Sequence, residues 1–216
     1  ISSVTSREFK KQGKQLHTFS VEYRDNQKYF QASKFQPNSD DYYINKMSEY
    51  LGSAHHHIVV DTPELVDALY KAVDARDLPG MADVDSSLLL FCKEVKSFAT
   101  VALSGECADE IFGGYPWYRD TDIRMTDGFP WSRSTAYRKS LLKDDFVQDN
   151  CEEYVYDRYK ATISKVKDCN SLSPLEKRMR EMMRLNLEWF MQTLLDRKDR
   201  MSMYNGLEVR VPFCDY

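Results

Sequence analysis

The sequence lacks the features that mark several classes of protein. Its 30 Lys and Arg residues face 34 Asp and Glu residues, a formal net charge of −4, and the two signs are interspersed. The missing basic excess argues against a nucleic-acid-binding protein. The longest apolar run, residues 88–92, is far too short to cross a membrane, and the chain does not open with a basic-then-apolar leader. We therefore expect a cytoplasmic protein that binds neither nucleic acid nor membrane.

The cysteines also lack the spacing of a cross-linked or zinc-binding protein. There are five of them, an odd number, and none belongs to a CxxC or Cys/His ligand pattern. They are Cys92, Cys107, Cys151, Cys169 and Cys214. We expect reduced thiols, with Cys107 and Cys214 serving as small packing residues. Because the sequence begins with Ile1 instead of methionine and stops without a tail, we also expect a segment of a longer protein.

The composition itself is that of a folded chain. With 216 residues, 42% hydrophobic and 30% charged, it can bury a core, and one or two domains are expected. Short apolar runs at 16–21, 58–60 and 100–103 alternate with helical patterns. This alternation predicts an α/β fold, a parallel sheet covered by helices, with ligands beyond the carboxyl ends of the strands.

Between the strands, several segments carry helix signals. Residues 38–40 offer caps for a helix with Met47 on its apolar face. The hydroxyl of Thr62, followed by a proline, is expected to cap another helix whose apolar stripe includes Val66. The polar stretch 24–36 is typical of a loop.

The character of the chain changes after residue 120. Residues 122–134 have an irregular pattern, and a helix is predicted over 147–166. Another helix should begin at Ser173, which is followed by a proline and then by Glu176. Methionines recur at helical spacing in this region, and we interpret them as core filling.

The most informative stretch follows the third predicted strand. The apolar run 100–103 leads into Ser-Gly and then into three acids, Glu106, Asp109 and Glu110. Carboxylates beside an apolar strand end are costly unless something positive neutralises them. From the residues alone two interpretations stay open: a site for a metal and a nucleotide, or acids that only cap and solvate the start of a helix.

Two long motifs resemble the hallmarks of a known family. The first is Ser104-Gly105-Glu106-x-x-Asp109-Glu110-x-Phe112-Gly113-Gly114-Tyr115. The second is Asp199-Arg200-Met201-Ser202-Met203-Tyr204-Asn205-Gly206-Leu207-Glu208-Val209-Arg210-Val211-Pro212-Phe213. Together they resemble the synthetase domain of the asparagine synthetase family, and the resemblance extends over essentially the whole chain. The family's Ser-Gly-Gly-x-Asp-Ser pyrophosphate loop, its glutaminase domain and a later phosphate-contacting lysine are not found in this sequence.

The resemblance implies a fold and a reaction. The fold is a parallel sheet of the adenine-nucleotide α-hydrolase-like (ATP pyrophosphatase) type, followed by a helical region. Residues 1–120 would be its α/β nucleotide-binding part without the first strand, and 121–216 the mainly helical remainder of the same domain. The reaction is the ATP-dependent conversion of aspartate through β-aspartyl-AMP to asparagine, AMP and pyrophosphate.

The resemblance also assigns residues to the cofactors ATP and Mg²⁺. Ser104 and Gly105 match positions that lie against the nucleotide, and Val21 matches one that packs against adenine. Asp109 matches the acid that binds magnesium, a hard ion that prefers oxygen ligands.

Two further residues match catalytic positions. Glu106 corresponds to the acid near the reacting acyl group, a base or orienter for the incoming ammonia. Tyr115 lines the same pocket. A glutaminase domain of the full-length chain would supply the ammonia, and a homodimer is compatible with the resemblance.

Other charged residues allow two interpretations. Lys198 and Arg200 precede the second motif and either reach a phosphate or form salt bridges, whereas Glu208 and Arg210 are expected to pair with each other. His17 and residues 55–57 could suggest a metal cluster. Neighbouring residues of a strand point to opposite faces, however, so we expect structural or surface histidines.

Two alternatives to an asparagine synthetase remain open at the level of sequence. One is a non-catalytic scaffold or regulatory module derived from a synthetase domain, because the pyrophosphate loop is not in the chain. The other is a related synthetase that forms β-lactams or closes peptide rings. Whether the full-length enzyme forms asparagine, a β-lactam or a peptide ring, we expect these 216 residues alone to be inactive.

Overall fold

The computed structural model describes residues 1–33, 36–143, 145–147, 150–167 and 172–215. These residues fall into two compact units. Unit 1 comprises residues 1–106 and 194–216, and unit 2 comprises residues 107–193. The predicted division of the domain at residue 120 stays a prediction.

Within the described ranges, four strands form two parallel two-stranded sheets. The strands are β1 (His17–Tyr23), β2 (Ala54–Val60), β3 (Val101–Leu103) and β4 (Glu208–Arg210). β1 pairs with β2 from His17 opposite Ala54 to Tyr23 opposite Val60. β3 pairs with β4 from Val101 opposite Glu208 to Leu103 opposite Arg210.

The strands confirm a mixed α/β fold with parallel pairing and correct two details. The predicted strand at 58–60 is the end of a longer β2 that begins at Ala54. β4 lies inside the second motif and was not predicted, because its three residues are too few to show an alternating pattern.

Helices occupy most of the remaining chain. They are α1 (Ser2–Lys11), α2 (Asn26–Tyr29), α3 (Asp41–Leu51), α4 (Thr62–Arg76), α5 (Ala82–Lys96), α6 (Ala108–Phe112), α7 (Thr121–Arg124), α8 (Thr135–Ser140), α9 (Cys151–Ile163), α10 (Pro174–Leu185) and α11 (Met191–Tyr204). A π-helical turn, Asn186–Phe190, joins α10 to α11, and short 3₁₀ turns cover Pro116–Tyr118 and Pro212–Cys214.

The start of α4 differs from the prediction. Its cap is Asp61 instead of the Thr62 hydroxyl: the Asp61 carboxylate accepts from the Thr62 N–H at 2.7 Å. The Glu64 carboxylate in turn accepts from the Asp61 N–H at 2.9 Å, which completes a capping box. Val66, predicted in the apolar stripe, is exposed, and three alanines are buried in its place because they allow α4 and α5 to pack closely. The three are Ala68, Ala72 and Ala75.

Three other local predictions also need correction. Met47 is exposed, although its helix α3 forms as predicted and ends at Gly52 in the left-handed conformation. The predicted loop 24–36 contains α2, and residues 34 and 35 lie outside the described part. The helix predicted over 147–166 is α9, Cys151–Ile163; residues 148 and 149 are also outside it.

The core of unit 1 lies between its helices and both sheets. One cluster joins α4, α5 and α11 through Ala72, Leu89 and Met201. A second joins Cys92 and Val95 of α5 to Leu207, with the strands packed against it. These contacts pack the middle residues of β3 and β4, Ala102 and Val209, against α5.

Unit 2 has an aromatic core. Trp117 and Tyr118 pack with Met182 of α10 in one cluster, and Phe129 packs with Tyr159 in another. Met182 is fully buried, as the core-filling interpretation of the methionines predicts, but Met183 and Met203 are 40% and 53% exposed, so the interpretation holds for only part of them. Ser173 caps α10 in a capping box with Glu176, also as predicted.

The described part of the chain has cysteine thiols and no helix that could cross a membrane. Cys92, Cys107, Cys151 and Cys214 are thiols, and Cys107 is buried, which agrees with a packing role. Cys169 lies outside the described residues. As far as the described chain extends, its helices are too short or too polar to cross a bilayer.

Candidate functional site

The pairing of β3 with β4 brings the two sequence motifs together. β3 leads into the first motif and β4 belongs to the second, and the strands run in the same direction. The Ser104 N–H donates to the Arg210 carbonyl at 2.9 Å, so the ladder continues one residue past Leu103. Because the strands are parallel, their carboxyl ends lie at one edge, where α/β proteins place their ligands.

A groove of about 550 Å³ opens beside this edge. It is lined by residues of α1, β1, α5 and β3, and its polar contributors include Ser104, Gly105 and Lys198. A Cβ added at Gly105 would meet no described atom within 4 Å. The space that this glycine leaves is therefore open instead of filled by the protein's own packing.

Glu106 forms an ion pair that the sequence did not predict. Lys198 Nζ of α11 lies 3.1 Å from Glu106 Oε2, and the two side chains are only 19% and 17% exposed. The prediction had left Lys198 between a phosphate contact and a salt bridge; the structure pairs it with one of the predicted site residues. A carboxylate that is so poorly hydrated needs a nearby cation.

The thiol of Cys92 lies close to this ion pair. Burial raises the pKa of Cys92 to about 11; the nearby Lys198 acts to lower it and Glu106 to raise it. The thiol is therefore protonated at neutral pH and is a poor nucleophile.

Asp109 lies in the first turn of α6, in unit 2. Gly113 ends this helix with a φ of 69°, and Gly114 follows with its N–H donating to the Asp109 carbonyl at 3.0 Å. A Cβ on Gly114 would collide with the Asp109 carboxylate. Gly114 thus makes room for this side chain, whereas Gly113 borders the Tyr118 ring.

Tyr115 contacts Glu110, the third acid of the first motif. Its hydroxyl donates to Glu110 Oε1 at 2.6 Å, and its ring stacks on Trp117 at 4.3 Å between centroids. Glu110 is 1% exposed, so it does not solvate a helix start, as one interpretation of the three acids held. Burial and, secondly, the Glu110 charge raise the pKa of the neighbouring Tyr118 hydroxyl.

Val21 lies apart from the groove. It sits in β1 opposite Ile58 and is 39% exposed, whereas β1 lines the groove, as the described residues define it, through His17, Thr18 and Phe19. Its predicted contact with adenine stays a prediction.

The histidines contact one another and nearby hydroxyls. His17 Nδ1 and His56 Nε2 are 2.9 Å apart, and the His55 ring lies between the hydroxyls of Thr18 and Ser20. Over the residues with described positions, no three His, Cys, Asp or Glu side chains are grouped to hold a metal. The prediction that the histidines are structural agrees with these contacts.

The remaining charged residues pair as one of their interpretations expected. Arg200 lies 3.0 Å from Asp77 and also contacts Asp196. Arg210 Nε donates to Glu208 Oε1 at 2.7 Å, which confirms the pair expected before Pro212.

Comparison with known proteins gives one consistent result. The asparagine synthase family model matches residues 1–216. Glutamine-hydrolyzing asparagine synthetase 3 of Bacillus subtilis (strain 168) is 51% identical over 218 residues, which cover 100% of this chain and 35% of the relative. Glutamine-hydrolyzing asparagine synthetase 1 of the same organism is 28% identical over 192 residues, covering 73% of this chain and 30% of the relative.

A plant relative matches over a shorter range. Glutamine-hydrolyzing asparagine synthetase 1 of Arabidopsis thaliana is 28% identical over 127 residues, which cover 55% of this chain and 20% of the relative. The chain spans about a third or less of the length of these curated relatives. With a family match over its full length and both motifs at one sheet edge, the chain belongs to the asparagine synthase family.

Proposed function

We propose that the chain is the synthetase part of an ATP-dependent, AMP-forming asparagine synthetase. In the proposed reaction, the side-chain carboxylate of aspartate attacks the α-phosphorus of ATP, and pyrophosphate leaves. Ammonia then attacks the acyl carbon of β-aspartyl-AMP, and AMP leaves with the electron pair of the broken C–O bond. The observation that carries the proposal is the meeting of both motifs at the carboxyl edge of β3 and β4.

The nucleotide would bind at the groove beside this edge. Ser104 and Gly105 line it, and the open space beside Gly105 lets a ligand approach the backbone closely. Val21 would pack against adenine, a contact that requires the base to reach beyond the groove residues of β1. The apolar walls of the groove suit a planar base better than a phosphate.

Asp109 would hold magnesium together with the substrate phosphates. Mg²⁺ is commonly bound by one or two carboxylates, phosphate oxygens and water, so one protein carboxylate fits the ion. The space that Gly114 leaves for the Asp109 side chain agrees with a carboxylate kept in a defined place. When bound, the ion would neutralise charge on the phosphates.

Glu106 would act on the second half of the reaction. As ammonia attacks the acyl carbon, its nitrogen must lose a proton, and Glu106 would accept that proton or orient the N–H bonds. Tyr115 would line the acyl pocket, with its hydroxyl directed by Glu110. Positioning and charge neutralisation would supply most of the rate enhancement.

We also propose the finer fold class, a sheet of the adenine-nucleotide α-hydrolase-like type. β1 and β3 line the same groove, while each pairs on another side with β2 or β4. An extended segment between β1 and β3 would join both pairs into one parallel sheet. The first strand and pyrophosphate loop that the family resemblance implies would be this segment.

The proposed whole enzyme has a second active site. A glutaminase domain would release ammonia from glutamine, a proposal that agrees with the glutamine-hydrolyzing activity named for the two Bacillus subtilis relatives. We place the enzyme in the cytoplasm, where its substrates aspartate and ATP occur, and leave a homodimer as a prediction.

The test is the product analysis of the full-length protein with ATP, Mg²⁺, aspartate and ammonia. We expect AMP, pyrophosphate and asparagine in equal amounts. Formation of ADP and phosphate would contradict the proposal. AMP formation only with a β-lactam or peptide precursor would support the related synthetase, and absence of turnover with every acid would support a scaffold.

A further inference from the structure

The pairing of Lys198 with Glu106 carries an inference about the second half of the reaction. Glu106 directly follows the nucleotide-facing residues Ser104 and Gly105, whereas Lys198 comes from α11, far along the chain. Their charged atoms are 3.1 Å apart, and both side chains are more than four-fifths buried. Removing either charge would leave the other poorly hydrated and unpaired, which is strongly unfavourable.

In this ion pair, one oxygen of the Glu106 carboxylate accepts no hydrogen bond from the described residues. The distance to Lys198 suits a hydrogen bond, but the approach is poorly aligned for one, so the contact is chiefly one of charge. Glu106 Oε2 is buried and receives no hydrogen bond from any described residue. Lys198 therefore balances the charge of the carboxylate without forming a directed hydrogen bond to this oxygen.

The surroundings of the pair restrict its movement. Cys92, 1% exposed, lies beside both charged groups, and Val95 and Leu207 pack with Cys92 in the same apolar cluster. Lys198 also lines the groove together with Ser104 and Gly105. Lys198 therefore both pairs with Glu106 and contributes to the lining of the groove.

We infer that Lys198 is a positioning residue that holds the Glu106 carboxylate in the orientation that the amine nucleophile requires. The inference rests on the proposed amide-forming reaction. It predicts that Lys198 supports the attack of ammonia and leaves the formation of β-aspartyl-AMP largely intact. A lysine that instead binds the phosphates of ATP would chiefly affect ATP binding.

The experiment compares Lys198→Met with Lys198→Arg in the full-length enzyme. For Lys198→Met we expect kcat for ammonia-dependent asparagine formation to fall about 10²-fold, the usual contribution of a positioned base. The KM for ATP and the rate of aspartate-dependent exchange between pyrophosphate and ATP should stay within about threefold of wild type, because a charge that acts only on the second step adds no ground-state binding. Lys198→Arg should recover part of kcat, since the charge is kept but the geometry changes.

Lys165→Met is the matched control. It removes a lysine of unit 2 that belongs to neither motif and whose Nζ lies 2.8 Å from Glu188, and it should leave both half-reactions unchanged. The double variant Glu106→Gln/Lys198→Met should be no slower than Glu106→Gln alone, because residues that act as one unit are not additive. Since it buries no lone charge, the double variant should also recover any melting temperature that Lys198→Met loses.

Each outcome decides the inference. A Lys198→Met enzyme with unchanged kcat, a raised KM for ATP with unchanged kcat, or an additive double variant would overturn it. Such results with an active wild type would leave the proposed function standing. A wild-type enzyme that forms no AMP would overturn both. If Lys198→Met does not fold, the same kinetic measurements are made on Lys198→Arg and on the double variant, and the same results would support or overturn the inference.

Discussion

Two glycines, one near each end of the first motif, lie in opposite environments. Gly105 borders open space next to the groove, whereas Gly114 is confined by the Asp109 carboxylate. The two glycines therefore respond differently to the same substitution. The sequence predicted that both belong to a site, but their opposite environments follow from packing that a motif cannot express.

Gly105→Ala should weaken nucleotide use without lowering the stability of the fold. The added methyl group meets no described atom within 4 Å, so the free energy of unfolding should stay the same or rise by up to about 1 kcal/mol. Pyrophosphate release by the full-length enzyme should nevertheless fall by about 10²-fold, because the methyl group occupies ligand space. Denaturant unfolding and a pyrophosphate assay measure the two quantities. An alanine variant with full activity would contradict the placement of the nucleotide.

Gly114→Ala should lower both the stability of the fold and the activity of the full-length enzyme. Its methyl group would collide with the Asp109 carboxylate, so the side chain or the turn must move, at about 1–3 kcal/mol of stability. We expect the Mg²⁺ concentration that gives half-maximal activity to rise, and Gly105→Ala serves as the control without this effect. An unchanged magnesium requirement would contradict the role of Asp109.

At the scale of elements, the strand pair β1–β2 carries His55, whose protonation should make stability depend on pH. Burial, followed by the nearby His57 and His56, lowers the pKa of His55 below its ordinary value of 6.5. The folded state thus takes up the His55 proton less readily than the unfolded state. His55 costs no stability above that value, and stability falls as the pH drops below it towards the lowered pKa.

The corresponding experiment is urea unfolding between about pH 7 and pH 5. We expect the wild-type free energy of unfolding to fall with pH more steeply than that of His55→Gln, which keeps a polar side chain opposite Ser20 and Thr18. Parallel curves for the two proteins would show that His55 does not contribute.

The element that holds unit 2 together is α10, through Arg178. Its guanidinium donates to the Arg124 carbonyl at 2.6 Å, the Thr126 carbonyl at 2.7 Å and the Tyr159 hydroxyl at 2.8 Å. It also pairs with Glu181 at 3.0 Å and is almost completely buried.

Arg178→Met should therefore destabilise the protein by about 3–5 kcal/mol, because it leaves buried acceptors and Glu181 without their cation. The exposed Arg158→Met is a suitable control and should change the free energy of unfolding by less than about 0.5 kcal/mol. Equal stability of the two variants would show that the Arg178 contacts are not needed for folding.

Elements with strong local signals were predicted well from the sequence. The capping box of α10 and the glycine that ends α3 act within a few residues, so their patterns suffice. The burial of Ala72 instead of Val66 depends on how closely α5 approaches, and β4 depends on a partner strand far away in the chain. The Lys198–Glu106 pair could not be predicted for the same reason. Both residues were singled out in the sequence, but their contact depends on how distant parts of the chain fold together.

At the scale of the whole molecule, the described chain combines a unit with parallel strands and a helical unit with an aromatic core. The family membership accounts for the motifs. Asparagine synthetase 3 of Bacillus subtilis matches the whole of this chain, but the chain spans only 35% of that relative's length. We expect the 216-residue chain alone to bind Mg-ATP weakly and to show no turnover, because the implied pyrophosphate loop is not among its residues. Calorimetry with Mg-ATP measures this, and tight binding would show that the groove residues suffice.

The most direct test of the proposed reaction follows the oxygen of the aspartate side chain. The full-length enzyme is incubated with ATP, Mg²⁺, ammonia and aspartate labelled with oxygen-18 in its β-carboxylate, and the products are analysed by mass spectrometry. The proposed attack on the α-phosphorus predicts one labelled oxygen in AMP and none in pyrophosphate. Label in inorganic phosphate together with ADP, or unlabelled AMP, would contradict it.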